Sequence, residues 1–300
     1  MVTLNAARAA NTTFTTTYRP VALIVGGTSG VGQGIVEAFA RATKGNAHIM
    51  ICGRSETNAK QIISTLPQTA NSTYEFIECD VSLMKNVAAV TSAIKARVAT
   101  LNYLVLTPGM ISLKGFTPTD EGIDNKLALH FYSRWKFVDE LMPLLQVAKN
   151  AGQEARVMTI RVNSAKATPL QDDNLGLKKK YSNAASAAHA ITYNNLMVEE
   201  YASRYPGLSF IHAHPGFVDS SINRNLHWSV KAISRVFALA ATSIQNCGEY
   251  MLYTLLSPDY RRGAFYFDSH GELIPPAAVV TSEAARKTLL DHFVKETSTR

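Results

Sequence analysis

Gly26, Gly30 and Gly32 stand in a G-x-x-x-G-x-G spacing inside residues 21 to 42, VALIVGGTSGVGQGIVEAFARA. A short apolar run precedes them and a helical repeat of apolar positions follows, which predicts a strand, a tight turn and a helix. Such a turn leaves backbone N–H groups free at the positive end of the helix, where a pyrophosphate would sit. Thr28, Ser29 and Val31 complete the loop. The segment lacks the Gly-Lys-Ser/Thr of a P-loop and differs from the G-x-G-x-x-G of many dinucleotide enzymes. An ordinary tight turn could use the same glycines, so the rest of the chain must decide.

The elements that would position this turn recur along the chain. Residues 48–52 read as a second strand, 56–66 as a helix and 74–78 as a third strand. A helix over 83–98, a strand over 101–106, a long helix over 120–146 broken near Pro143, and a strand over 156–162 follow. The pattern closes with a helix over 181–205 and strands over 208–212 and 263–267. Alternating strands and helices predict an α/β, Rossmann-like, doubly wound sheet of seven mainly parallel strands with helices on both faces. Ligands in that architecture bind beyond the carboxyl ends of the strands.

Three hundred residues, 46% of them hydrophobic, suffice for one domain with a full core. No linker divides residues 21–300, so one domain is expected behind an N-terminal extension of residues 1–20. No apolar run approaches a membrane span, and no membrane partner is expected. Cys52, Cys79 and Cys247 are odd in number and widely spaced, which argues against a disulfide framework and a zinc site and for a reducing, cytoplasmic setting. The extension is rich in Ala and Thr, carries Arg8 and Arg19 and lacks acids, so organellar targeting stays open; Thr3 to Ala10 reads equally as a short helix outside the first strand. The net charge of +7 suits an anionic partner, for which a dinucleotide phosphate suffices. Nucleic acid is not expected, since neither a recognition motif nor interleaved basic and aromatic residues occur. Lys178 to Lys180 read as a solvated charge run.

From about Val21 to Phe267 the chain resembles the short-chain dehydrogenase/reductase superfamily, on the Gly26–Gly32 loop and on markers that follow it in order. Where NAD-using members carry an acid after strand two, this chain has Cys52-Gly53-Arg54-Ser55, and Arg54 implies NADP(H), since a guanidinium pairs with a 2′-phosphate that an Asp would repel. Asp80 and Val81 resemble the pair beside the adenine, although Asp80 could instead cap a helix. The family's Asn-Asn-Ala-Gly after strand four appears as Leu106-Thr107-Pro108-Gly109, so the loop must be braced by something other than the two asparagine amides. His214-Pro215-Gly216-Phe217-Val218-Asp219-Ser220 resembles the Pro-Gly-x-Val-x-Thr loop, which implies that Pro215, Gly216 and Val218 hold the nicotinamide end.

The catalytic pattern departs from the family. Tyr181 occupies the position of the family's acid or base, yet Ala185 stands four residues on, where a Lys would lower the Tyr pKa and bind ribose. His130 replaces the Asn of the long helix, either as a proton carrier facing Tyr181 or as a polar filler. Val162 aligns with the catalytic Ser, and Ser164 can serve only if the strand end is longer. Lys178 could substitute for the missing amine if the helix starts early. An unassisted tyrosine donates a proton better than it accepts one, which favours reduction over oxidation.

A small-molecule substrate is expected between residues 163–180 and a lid near 217–245. Phe217, Ile222, Leu226, His227 and Trp228 would give the lid an apolar lining suited to a lipophilic ligand, although they could equally cap the core. The stretches 121–135 and 191–197, followed by 210–218, resemble divergent fungal members associated with secondary metabolism. Three functions follow as expectations: NADPH-dependent reduction with Tyr181 as acid, a redox-neutral cyclase or isomerase on the same scaffold, and a non-catalytic binding partner. A homo-oligomer through the two long helices is compatible with all three.

Overall fold

Seven short apolar segments form one parallel sheet: β1 (Val21–Val25), β2 (His48–Gly53), β3 (Thr73–Glu78), β4 (Tyr103–Leu106), β5 (Arg156–Ile160), β6 (Ser209–Ala213) and β7 (Gly263–Phe267). The computed structural model describes residues 2–161, 173–219, 241–275 and 282–298. Strand order is β3-β2-β1-β4-β5-β6-β7, with every neighbouring pair parallel. The chain winds outward from β1 to β3 and then crosses to β4, so a crevice opens where β1 and β4 part direction. Val25 pairs with both Cys52 and Leu106, which sets Gly26, Gly53 and Thr107 at one level along that crevice.

Burial on both faces explains why the inner strands β1, β2, β4, β5 and β6 read as largely apolar runs rather than alternating ones. Leu23 and Val25 join one core with α4 (Met84–Arg97), α6 (Ser133–Asn150), α7 (Asn183–Arg204) and α9 (Glu283–Thr297). Ala22 and Ile24 join the other with α1 (Leu4–Thr12), α2 (Gly30–Ala42), α3 (Glu56–Thr65) and α8 (Ile244–Leu256). Helices α2 and α8 touch backbone to backbone: a Cβ on Gly34 would lie 2.2 Å from the Ile244 carbonyl oxygen. Helix α1 begins at the Thr3 cap and docks on α8, where Asn11 donates to the Glu249 carbonyl at 2.9 Å.

The long helix is organised differently from its expected form. It begins as a short turn, α5 (Asn125–Leu127), widens into a π-helical turn over Ala128–Tyr132, and then continues as α6 straight through Pro143. The interruption is thus at His130 and not at the proline. β5 ends at Ile160 rather than at residue 162, and α7 starts at Asn183, so Tyr181 precedes its helix. Ser164 and Val162 lie outside the described residues, as do most of the lid positions, Ile222, Leu226, His227 and Trp228 among them.

Candidate functional site

At the carboxyl ends of β1 to β4 lies a cavity of about 390 Å³. Its floor is the glycine loop, Gly26, Thr28, Ser29, Gly30 and Val31; its sides are Gly53, Arg54, Ser55 and Asn58 after β2, and Cys79, Asp80 and Val81 after β3. Thr107, Pro108, Gly109 and Met110 close it from β4, with Leu129 from the π turn. Gly26 adopts φ +81°, and its N–H donates to the Cys52 carbonyl at 2.8 Å, which pins the loop to β2. A Cβ on Gly32 would lie 2.3 Å from the Gly26 carbonyl oxygen, so only glycine lets α2 start this close to the strand. The first N–H groups of α2 have no acceptor within the helix, and the capping Ser29 side chain makes no hydrogen bond to them. A cradle of free donors with no side chain in the way fits a pyrophosphate.

Around that floor the structure assigns parts to several residues. Arg54 is exposed at the cavity wall, where a 2′-phosphate would meet it. Ser55 caps α3 by accepting the Asn58 N–H at 3.2 Å, and the Asn58 amide ties α3 back to the Thr28 carbonyl at 3.3 Å. Asp80 is not a helix cap: its Oδ1 accepts the Ser82 N–H at 3.0 Å, and α4 is capped from afar by the Glu121 carboxylate on the N–H of Met84 and Lys85. Pro215, Gly216 and Val218 follow β6 and lie outside the lining of this cavity. Gly216 takes φ +70°, and its N–H donates to His214 Nδ1 at 2.7 Å, so this loop is self-supporting.

The brace that replaces two asparagines is an arginine. Arg134, 1% exposed in α6, donates from Nη2 to the Pro108 carbonyl at 2.6 Å and from Nη1 to the Ile160 carbonyl at 2.8 Å and Thr159 Oγ1 at 2.6 Å. One planar guanidinium therefore locks the ends of β4 and β5 together. Thr159 Oγ1 in turn donates to Asn194 Oδ1 of α7 at 2.7 Å, and the Asn194 amide donates to the His130 carbonyl in the π turn at 2.9 Å. Thr107 adds a further tie, donating from Oγ1 to the Val25 carbonyl at 2.9 Å.

His130 faces the cavity wall. Its Nε2 accepts the Met110 N–H at 3.1 Å, which leaves the proton on Nδ1 if the ring is neutral. Burial, reinforced by the charges of Arg161 and Arg134, holds its pKa well below the ordinary histidine value, so the ring is neutral at physiological pH. It works as a backbone acceptor at the position where the family has Asn.

Tyr181 stands apart from His130, and no hydrogen bond joins the two. Its hydroxyl donates to Asp124 Oδ1 at 3.3 Å, and its ring lies beneath Lys126 Nζ, 5.0 Å from the centroid, with Phe116 edge-on at 5.8 Å. Lys126 is itself buried and donates to the carbonyls of Lys114 and Gly115. A cation thus reaches Tyr181 from α5 and not from the Ala185 position. Lys178, the other candidate amine, pairs with Glu296 at 2.9 Å on the surface and does not approach Tyr181. Arg134, Lys126, Asn58, Thr159 and Asn194 were not picked out by sequence reasoning. An arginine between Ser133 and Trp135 in an apolar helix was the one available signal, because buried arginines need several acceptors.

A family model described as short chain dehydrogenase matches residues 20–231. Two curated fungal relatives are similar over most of the chain. Oxidoreductase AN1596 of Emericella nidulans is 37% identical over 75% of this chain and 66% of its own length. Oxidoreductase andH of Emericella variicolor is 31% identical over 81% of this chain and 74% of its own. Among solved structures, an NADPH-bound carbonyl reductase from chicken fatty liver superposes with a TM-score of 0.63 at 16% identity, covering 85% of this chain and 98% of that one, which establishes likeness of fold.

Proposed function

The chain belongs to the short-chain dehydrogenase family, and from that premise we propose that it binds NADP(H) in the cavity between Gly26 and Gly109 and reduces a small lipophilic substrate with Tyr181 as the acid. One observation carries the reading: the donor-lined glycine cradle and Arg54 open onto a single cavity whose acidic member, Asp80, lies on the β3 side and not beside Arg54. The fungal oxidoreductases among its relatives support a redox reading, and the NADPH-bound fold neighbour supports the cofactor.

NADPH, when bound, supplies the hydride. The α2 N-terminus would hold the pyrophosphate, Arg54 the 2′-phosphate and Asp80 the adenine end. His130 and Arg134 keep the Pro108–Met110 loop fixed as one wall of the pocket. Tyr181 holds the proton to be delivered, and Lys126 places positive charge over its ring, favouring the anion left when that proton departs.

The competing redox-neutral reading is favoured by Ala185 at the lysine position and by the engagement of the Tyr181 hydroxyl with Asp124. Accurate-mass comparison of metabolites from the source cell with and without the gene separates the two. A precursor two hydrogens lighter than the missing product supports reduction; a precursor of equal mass supports cyclisation or isomerisation. Tyr181→Phe in the purified protein should then abolish turnover while leaving NADPH binding intact, and full turnover by that variant removes Tyr181 from the mechanism.

A further inference from the structure

Arg161 is a buried cation with two side-chain donors, Nε and Nη1, that have no partner. It follows β5 directly, its N–H donating to the Ala213 carbonyl at 3.1 Å, and it is 7% exposed. Along β5, Val157 and Thr159 face α6 and α7 while Met158 and Ile160 face α2 and α8, so the alternation of the strand sends Arg161 toward α6 and α7. Its charge there lowers the proton affinity of both His130 and His212. Yet Nε and Nη1 are buried without a hydrogen-bond partner, and among the described residues no carboxylate forms an ion pair with the side chain. Each bidentate edge of the guanidinium, Nε with Nη2 and Nη1 with Nη2, keeps an open donor.

The neighbouring arginine shows what this arrangement lacks. Arg134 satisfies its nitrogens with Pro108, Ile160, Thr159 and Leu129 and acts as a strut. Among the described residues Arg161 Nε and Nη1 brace nothing, although an unpartnered buried charge costs several kcal/mol (order of magnitude). The groups around it, Arg134, His130 and His212, are cationic or neutral. Positive potential at the carboxyl end of the central strands attracts negative charge.

We propose that Arg161 is the receptor for a carboxylate on the substrate, so that the natural ligand is a lipophilic carboxylic acid oriented by this guanidinium. The inference rests on the reading above that this end of the sheet is the substrate pocket, but it does not need the nucleotide to be NADP(H). Arg161 positions the substrate; proton delivery stays with Tyr181.

The test uses the full chain with benzoate as probe and benzamide as its neutral isostere, read by calorimetry and thermal unfolding, with NADPH titrated separately. Benzoate should bind and raise Tm, benzamide should bind at least about tenfold more weakly, and Arg161→Met should lose benzoate affinity by about tenfold or more. The same variant should keep its NADPH affinity and unfold at an unchanged or higher temperature, because it loses an unpaired buried charge. Arg161→Lys should retain part of the benzoate response. Equal binding of benzoate by wild type and Arg161→Met, equal binding of benzoate and benzamide, absence of benzoate binding, or a fall in Tm of Arg161→Met like that of a structural arginine would each overturn the proposal. Failure of NADPH alone to bind would count against the cofactor reading and leave the carboxylate result standing.

Discussion

Arg134 Nη2 lies 2.6 Å from the carbonyl oxygen of Pro108, and through that contact a helix residue holds the loop that walls the nucleotide cavity. The same guanidinium reaches Ile160 at the end of β5, so one side chain ties the ends of β4 and β5 together at the crevice edge.

Arg134→Met should therefore destabilise the protein by roughly 2–3 kcal/mol, because buried carbonyls of Pro108, Ile160 and Leu129 lose their donor. Urea unfolding gives the value. A change below about 0.5 kcal/mol would mean that other groups brace the loop. The opposite behaviour is expected of Arg161→Met, which removes a charge with no partner.

Acid should weaken the fold through its buried histidines. His212 is held down to about 3 and His292 to about 4, each mainly by burial, and His130 is also lowered. A lowered folded-state pKa means that the unfolded chain takes up the proton first. The associated stability is complete above the unfolded value of about 6.5 and is lost as pH falls toward 4 and then 3. Unfolding free energy should drop between pH 7 and pH 5 by on the order of 1–2 kcal/mol per histidine. His212→Gln should flatten that slope; an unchanged slope in the variant would exclude His212 as a contributor.

Gly32→Ala should prevent nucleotide binding and cost about 1–3 kcal/mol, since the new methyl meets the Gly26 carbonyl oxygen at 2.3 Å. Gly115→Ala is the matched control, because nothing lies within 4 Å of its Cβ position. Parallel thermal melts and NADPH titrations distinguish a crowded turn from a general intolerance of substitution.

Arg54→Asp should weaken NADPH binding far more than NADH binding, as a carboxylate repels the 2′-phosphate and accepts from a free ribose hydroxyl. Fluorescence titration with both nucleotides reads the ratio. Equal losses would discard the assignment of Arg54 to the phosphate.

The order of strands and helices, the parallel sheet and the glycine turn were determined by the sequence itself, because periodicity and glycine spacing act over a few residues. The type and sequence of elements from Val21 to Phe267 could be read locally, and so could part of the cavity lining: the glycine loop, Arg54, Ser55, Asp80, Val81, Pro108 and Gly109. Tertiary structure decided what no local pattern contains. It put the break of the long helix at His130, whose carbonyl accepts from Asn194 of a helix some sixty residues away, and let α6 continue through Pro143. It brought Lys126 over Tyr181 in place of the absent residue at Ala185, and set Arg134 to a task the family gives to asparagines. Burial also turned His130 into a neutral acceptor and left Nε and Nη1 of Arg161 without a partner. Each of these depends on which groups meet across the sheet and on how little water reaches them. Such properties belong to packed neighbours distant in sequence, and spacing along the chain does not encode them.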